Sequence, residues 1–144
     1  MHRLIREQAR RHPEALAAVH DSARLTYGEL DARSDVIAAR LLRAGVGADC
    51  IVALLLERST DALCALLGVW KAGAAYLTLD PELPPERLRF MLEDAEPAAV
   101  ITRQGLQDRL PCPVSRLLVL EQMTAADERD AAFVAPTVAP GQLA

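Results

Sequence analysis

The chain has 144 residues, of which 51% are hydrophobic and 25% are charged, and its formal net charge is −4. This length suits one globular domain rather than two, and the apolar content argues against intrinsic disorder. The acidic balance leaves no basic surface for a nucleic-acid backbone, so we expect no nucleic-acid partner.

The cysteines and the apolar stretches exclude further classes of protein. Cys50, Cys64 and Cys112 form no Cys-x-x-Cys pair, which indicates buried thiols in a reducing compartment and neither a disulfide framework nor a zinc site. Charges interrupt the first residues, where a signal peptide needs an apolar core. The longest apolar stretches, residues 51–56 and 62–70, are far shorter than the roughly 20 residues that span a bilayer. We therefore expect a cytoplasmic protein with no membrane partner.

The first predicted elements are a helix and a strand. Residues 4–11 are typical of a short surface helix, and His12 and Pro13 end it. Residues 15–20 are an apolar run that predicts a strand, and a turn is expected at residues 21–22.

The second predicted helix has a complete set of start and stop signals. Thr26 is placed to cap its N-terminus and Glu29 to reach back to the cap, which is the Thr-x-x-Glu capping box. Leu25 and Leu30 have the spacing of a hydrophobic staple. Gly45 then predicts the end of the helix, because glycine readily adopts the left-handed conformation found there.

The middle of the chain predicts a β-α-β unit. Residues 51–56 are apolar without alternation, which is typical of a strand buried on both faces. Ser59 is a suitable cap for the next helix, and residues 62–70 are apolar all round, so we expect this helix to lie buried between layers. Gly73 predicts its end, and residues 74–79 predict a second buried strand.

The remaining elements complete an α/β pattern. Residues 84–94 predict a helix opened by two prolines, and residues 98–102 and 117–120 predict two more strands. Alternation of this kind indicates a layered fold with a mostly parallel sheet and flanking helices. We expect residues 1–120 to form the folded domain and residues 121–144 to form an irregular linker.

Residue chemistry alone points to no catalytic, cofactor-binding or metal-binding residue. Gly45-x-Gly47 stands between a helix and a strand, whereas a phosphate loop stands between a strand and a helix, so a helix stop is favoured. Asp80 ends a strand as a phospho-acceptor would, but Lys71, the only lysine among 16 basic residues, precedes it, and a turn before Pro81 is favoured. The histidines and serines fit neither a metal pair nor a nucleophile elbow.

Two stretches resemble core motifs of nonribosomal peptide synthetase adenylation domains. Residues 25–30, LTYGEL, resemble the first motif, and residues 71–80, KAGAAYLTLD, resemble the second, in the order and spacing of that family. Agreement with the family pattern runs over residues 4–102. The chain departs from it at Trp70, where leucine is usual, and at Thr78, where proline is usual, which indicates packing changes.

We interpret the two motifs as structural, because the first is a capping box with its staple and the second is a helix stop followed by a strand. The residues assigned this role are Leu25, Thr26, Tyr27, Glu29, Leu30, Lys71, Ala72, Gly73, Ala75, Tyr76, Leu77, Leu79 and Asp80.

The resemblance implies an adenylate-forming enzyme of the AMP-forming ligase superfamily. Such an enzyme activates an amino acid with ATP and Mg as the aminoacyl-AMP, then passes the acyl group to the phosphopantetheine of a carrier protein. The implied partners are the remainder of the adenylation domain, a carrier protein and a condensation domain.

The same resemblance places the nucleotide chemistry in later segments: a phosphate loop, a ribose-binding aspartate and a lysine. Residues 141–144 look like the lead into that loop. We therefore expect a partial N-terminal subdomain that is inactive alone and binds neither ATP nor Mg well. Its apolar helix at residues 62–70 is expected to leave an exposed patch that favours aggregation or dimers. The alternatives are a non-catalytic remnant or docking module, and a fragment of an acyl-CoA or fatty-acyl-AMP ligase.

Overall fold

The computed structural model describes residues 2–20, 22–111, 114 and 116–122, and within them the chain forms four α-helices and six β-strands. Asp21 of the predicted turn, Cys112 and residues 123–144, which hold the lead-in and all of the predicted linker except Glu121 and Gln122, lie outside the described residues. Two 3-10 helices, Gln104–Arg109 and Leu120–Gln122, complete the description. The elements in chain order are α1 (His2–Arg11), β1 (Leu16–His20), β2 (Ala23–Thr26), α2 (Tyr27–Arg43), β3 (Ile51–Leu55), α3 (Thr60–Lys71), β4 (Ala75–Leu79), α4 (Pro85–Ala95), β5 (Ala99–Thr102) and β6 (Leu117–Val119).

A four-stranded parallel sheet in the order β4-β3-β5-β6 forms the centre of the fold. Its two faces bury separate clusters, because side chains alternate between the faces along each strand. On β3, Val52 and Leu54 pack with α2 and α3, whereas Ala53 and Leu55 pack with α4. The predicted α/β class, the layered architecture and the doubly buried β3 are confirmed.

The prediction of a strand at residues 74–79 is confirmed as β4, but the prediction that this strand is buried is wrong. Among the described residues, β4 pairs with β3 alone and therefore lies at an edge of the sheet. Within β4 only Leu79 is fully buried, and Thr78 is exposed. A strand with one neighbour leaves part of its side chains and half of its main-chain groups uncovered, which the apolar composition of the segment did not reveal.

A short antiparallel hairpin was not predicted in full. The strand at residues 15–20 is confirmed as β1, but β2 follows it immediately and pairs with it. β2 has four residues and runs directly into the cap of α2, so its sequence signal was hidden by the stronger helix-start signal.

The predicted start of α2 is confirmed in detail. The Glu29 N–H donates to Thr26 Oγ1 at 3.2 Å, and the Thr26 N–H donates to Glu29 Oε2 at 3.0 Å, which completes the capping box. Leu25 and Leu30 are buried in one cluster, as a hydrophobic staple requires. These local interactions fix where α2 begins and the angle at which the chain enters it.

Both predicted glycine stops are confirmed. Gly45 and Gly73 follow α2 and α3 with φ values of 84° and 86°. In each case the glycine N–H and the next N–H donate to carbonyls of the last helical turn at 2.9–3.1 Å, which is the Schellman arrangement. Each motif turns the chain sharply into the strand region that follows.

Helices α2 and α3 pack closely at Gly68. A Cβ atom at Gly68 would lie 2.6 Å from Ile37 Cγ2 and 3.1 Å from the Ser34 carbonyl, so only glycine fits this crossing without a shift. No residue of α3 is exposed, which confirms the prediction of a buried helix between α2 and the sheet. The expectation that residues 62–70 leave an exposed apolar patch is wrong, because the large exposed hydrophobic side chains of the described residues lie elsewhere. The proline-opened helix α4 and the strands β5 and β6 are confirmed as well.

Replacing Thr26 by alanine is expected to lower the free energy of unfolding by about 1 kcal/mol, because the Glu29 N–H loses its acceptor. Urea denaturation followed by circular dichroism measures the change. Thr26→Ser is the matched control, since it keeps the hydroxyl and should stay close to the wild type. An equal loss in both variants would show that the side-chain oxygen is not the source of the stability.

Candidate functional site

The charged residue most deeply buried in the described part of the chain is Lys71, at the end of α3. Its side chain is 0% exposed, and its Nζ donates to Asp31 Oδ1 at 2.6 Å, to Asp35 Oδ1 at 2.7 Å and to the Asp31 carbonyl at 3.0 Å. Because an ammonium group has three protons, every donor of Lys71 has an acceptor. This buried cation is therefore fully paired.

Arg6 of α1 completes what we call the buried charge cluster, formed by Arg6, Asp31, Asp35 and Lys71. One terminal nitrogen of Arg6 lies 2.6 Å from Asp35 Oδ1, and its Nε lies 3.6 Å from Asp31 Oδ1. Two cations thus face two carboxylates, and the cluster is electrically balanced. Since an unpaired charge inside a protein is strongly unfavourable, the cluster ties α1, α2 and α3 together.

The sequence prediction placed Lys71 correctly in the last turn of a helix but missed what its side chain does. Asp31 and Asp35 are one helical turn apart on α2, so both face the same neighbour. They precede Lys71 by 40 and 36 residues, and no local pattern reveals a contact over that separation.

A cavity of about 280 Å³ lies at the carboxyl edge of the sheet, next to α2 and α3. The Asp61 carboxylate stands between two arginines that line it, 4.0 Å from the Arg33 guanidinium and 3.4 Å from that of Arg103. Glu121, also in the lining, accepts a hydrogen bond from the Gln104 N–H at 3.0 Å. The charges around this cavity are therefore already matched by protein groups.

Cys64 lies in the wall of the same cavity and is 2% exposed. Burial raises the pKa of its thiol to about 11, an effect that the Arg33 charge opposes and the Asp61 charge reinforces. A thiol with so high a pKa stays neutral at physiological pH and is a poor nucleophile. The structure thus supports the interpretation of Cys64 as a small buried apolar residue.

A second cavity, of about 610 Å³, lies between β1, the ends of β3 and β4, and the start of α3. Its walls are largely apolar and include Val19, Leu56, Leu63 and Leu66. None of the thirteen motif residues predicted from the sequence lines either cavity.

Asp80 takes the turn role favoured by the sequence. Its Oδ1 accepts a hydrogen bond from the Glu82 N–H at 2.9 Å, and its carbonyl accepts one from the Leu83 N–H at 3.1 Å. Lys71 is held by Asp31 and therefore does not serve Asp80. The phospho-acceptor alternative has no support in this geometry.

The other motif side chains take part in packing and main-chain pairing. The Tyr27 N–H donates to the Ala15 carbonyl at 2.9 Å, which joins the start of α2 to the hairpin. The ring of Tyr76 packs edge-on against Trp70, with 5.9 Å between ring centroids. Trp70 and Thr78, the two departures from the motif, therefore lie in or beside the edge strand β4.

The described residues contain neither a cluster of metal-ligand side chains nor a glycine turn that opens a helix. No group of three or more His, Cys, Asp or Glu side chains in the described segments is placed to hold a metal ion. The helix-flanking glycines Gly45 and Gly73 follow helices, so they direct no helix N-terminus towards a phosphate.

With this geometry in view, comparison with known proteins identifies the family. Residues 5–141 match the AMP-binding enzyme family. The chain belongs to this family. It is 38% identical over 128 residues to a linear gramicidin synthase of Brevibacillus parabrevis and 39% identical over 132 residues to bacitracin synthase 1 of Bacillus licheniformis. These matches cover 89% and 90% of this chain but only 2% of each relative.

A solved structure agrees with the sequence relatives. The AMPPNP-bound form of the nonribosomal peptide synthetase FmoA3 superposes on this chain with a TM-score of 0.88 and 30% identity, covering 98% of this chain and 15% of the synthetase. The resemblance to peptide-synthetase adenylation domains is confirmed, and so is the adenylate-forming fold. No helix in the described segments has the length and apolarity needed to cross a membrane.

Lys71→Met is expected to lower the free energy of unfolding by about 3–5 kcal/mol, because Arg6 is then the only cation in the cluster that pairs with the carboxylates of Asp31 and Asp35. Urea denaturation measures the loss. Arg10→Met, at an exposed position of α1, is the control and should change stability by no more than about 0.5 kcal/mol.

Adding Asp31→Asn to Lys71→Met should recover part of the lost stability, since Arg6 then pairs with Asp35 and the cluster is again electrically balanced. A small loss in Lys71→Met, or a further loss in the double variant, would contradict the charge-pairing explanation.

Cys64 is expected to make the protein less stable at alkaline pH. The folded thiol has a pKa of about 11 against an ordinary value of 9.0. Between these values the unfolded chain ionises and the folded chain does not, so this contribution is present below pH 9 and is lost as the pH rises towards 11. The difference in unfolding free energy between wild type and Cys64→Ala should therefore shrink over this range. A constant difference would exclude the effect.

Proposed function

We propose that this chain is the N-terminal part of the large subdomain of an amino-acid adenylation domain that acts in nonribosomal peptide synthesis. The observation that carries the proposal is the pair of ordered motifs, in a chain that superposes on a peptide synthetase with a TM-score of 0.88. The relatives named as gramicidin and bacitracin synthases support the peptide-synthetase branch.

The proposed reaction joins an amino acid to AMP. A carboxylate oxygen of the amino acid attacks the α-phosphorus of ATP, the bond to the β-phosphate oxygen breaks, and pyrophosphate leaves. The phosphopantetheine thiol of a carrier protein then attacks the acyl carbon and releases AMP. Mg supplies neutralisation of phosphate charge when it is bound to the complete domain. The described segments hold no group of three or more metal-ligand side chains, and no step of this reaction is assigned to them.

The role proposed for this chain is that of a scaffold. The buried charge cluster holds α1, α2 and α3 together, and the close contact at Gly68 packs α2 against α3. The glycine stops set the direction of the chain towards the strands that follow. In this proposal the thirteen motif residues stabilise the scaffold and do not touch the substrates. In this proposal residues 1–120 are the folded part and residues 121–144 are a linker. The proposed partners are the remainder of the domain, a carrier protein and a condensation domain. The proposed location of the protein is the cytoplasm.

The 144-residue chain is expected to show no ATP–pyrophosphate exchange with any standard amino acid. A longer protein that joins this sequence to the following part of an adenylation domain should show exchange with at least one of them. The physical reason is that the described glycine turns follow helices and form no phosphate loop, and that Arg33 and Arg103 already share the Asp61 carboxylate. Radiolabelled pyrophosphate incorporated into ATP is the measurement.

Three outcomes separate the alternatives. Robust exchange by the 144-residue chain would refute its inactivity. Exchange with fatty acids but not amino acids in the longer protein would assign the chain to an acyl ligase. No exchange with either substrate class in a folded longer protein would favour a non-catalytic remnant over the proposed function.

A further inference from the structure

Helix α1 packs against α2 and α3 with very little apolar surface. Its sequence, HRLIREQARR, holds four arginines and one glutamate. Of residues 3–11 only Ala9 is buried; Ile5 packs partly buried against the core, whereas Leu4 is 68% exposed. A helix of this length is marginal in water without tertiary contacts. The helical state of α1 therefore depends on an interaction other than apolar burial.

Arg6 supplies this interaction from the middle of α1. One of its terminal nitrogens lies 2.6 Å from Asp35 Oδ1, and its Nε lies 3.6 Å from Asp31 Oδ1. Lys71 Nζ donates to the same two oxygen atoms. The side chain of Arg6 is 20% exposed and that of Lys71 is 0% exposed. The buried charge cluster thus reaches the surface at Arg6 and ends inside the protein at Lys71.

The two cations of the cluster are not equivalent. Without Arg6, all three acceptors of Lys71 Nζ remain, because they are the carboxylates of Asp31 and Asp35 and the Asp31 carbonyl. The negative charge left over then lies on carboxylates that water reaches once α1 moves away. Without Lys71, the same carboxylates face the interior of the protein with no cation there. The fold therefore tolerates the departure of Arg6 better than the loss of Lys71.

The chain that follows α1 is anchored separately. The Gly28 N–H donates to the Pro13 carbonyl at 3.0 Å, and the Tyr27 N–H donates to the Ala15 carbonyl at 2.9 Å, so this segment is fixed to the start of α2. Pro13 has no N–H with which to extend α1. The link between α1 and the anchored segment is therefore short, and α1 can move about it while β1 and α2 stay in place.

We propose that α1 is a latch, held closed by Arg6, which opens as one unit about residues 12–13 and uncovers Lys71. The anchors at Pro13 and Ala15 keep the rest of the chain folded in the open form, and Lys71 keeps its acceptors. Opening of this kind requires less free energy than global unfolding, because it breaks the contacts of one short helix only.

Lys71 is the only lysine of the chain, so its amine reports the opening of the latch directly. The probe is an N-hydroxysuccinimide ester that acylates amines, used at one fixed pH on the 144-residue chain, and peptide mass spectrometry measures the rate at Lys71. In the wild type this rate should barely change at low urea concentration, since opening α1 exposes little surface. It should rise steeply only where the whole protein unfolds.

Arg6→Met should raise the rate of acylation of Lys71 at least about tenfold, as expected from the loss of a hydrogen bond between charged groups. The rate in this variant should still change little at low urea concentration. Arg10→Met, at an exposed position of the same helix, is the matched control and should be acylated like the wild type.

Hydrogen exchange followed by NMR separates the latch from its anchor. The amides of residues 6–12, which donate within α1 or to its last turn, should exchange together in the wild type and lose most of their protection in Arg6→Met. The Tyr27 and Gly28 amides should stay protected in both proteins, because they bind the anchored segment.

Three results would overturn the proposal. One is acylation of Lys71 only at urea concentrations that unfold the whole protein, and another is an equal rate in Arg6→Met and the wild type. Loss of protection at Tyr27 and Gly28 together with α1 would show that the start of α2 opens as well and that no separate latch exists. The urea series on the wild type needs no substitution, so it decides the question even if Arg6→Met does not fold.

Discussion

The pairing of Lys71 with Asp31 and Asp35 is the constraint on which the arrangement of the helices depends. Lys71 ends α3, both carboxylates lie on α2, and Arg6 brings α1 to the same point. A buried ammonium tolerates no loss of its acceptors, so the relative position of α2 and α3 is fixed within hydrogen-bond distances. Gly68 lies one turn before Lys71 and contacts Ile37 closely. This contact fits the surfaces of α2 and α3 together in the same relative position.

This helix position determines where β4 begins. α3 ends at the buried cation and is followed by a Schellman motif in which Gly73 reverses the chain. The chain then enters β4, and the Ala75 N–H binds the Cys50 carbonyl as the first link to β3. The stretch from Lys71 to Asp80 is therefore a continuous structural unit, in which a charge contact, a helix stop, a strand and a turn follow one another. Its similarity to a family motif needs no contact with nucleotide to be explained.

Local features of this fold could be predicted from the sequence, and features set by distant residues could not. The capping box of Thr26 and Glu29 and the stop at Gly73 depend on neighbours within a few residues, and both are confirmed. The contact between Lys71 and Asp31 joins residues 40 apart, so no periodicity contains it. The edge position of β4 depends on strand order, which an apolar segment does not encode. For the candidate site, the sequence correctly pointed to the turn at Asp80 but not to the Asp61 ion pairs.

The charge distribution supports the proposed role of this chain as a scaffold. Catalytic groups often have perturbed pKa values and lack a partner until the substrate binds. Such unpaired groups make the folded state less stable. In the described segments, Arg33 and Arg103 share the Asp61 carboxylate, and every donor of the buried cation Lys71 has an acceptor. Burial keeps Cys64 neutral by raising its pKa. What the described fold leaves unsatisfied is main-chain hydrogen bonding along β4, and groups of that kind recruit another strand rather than a substrate.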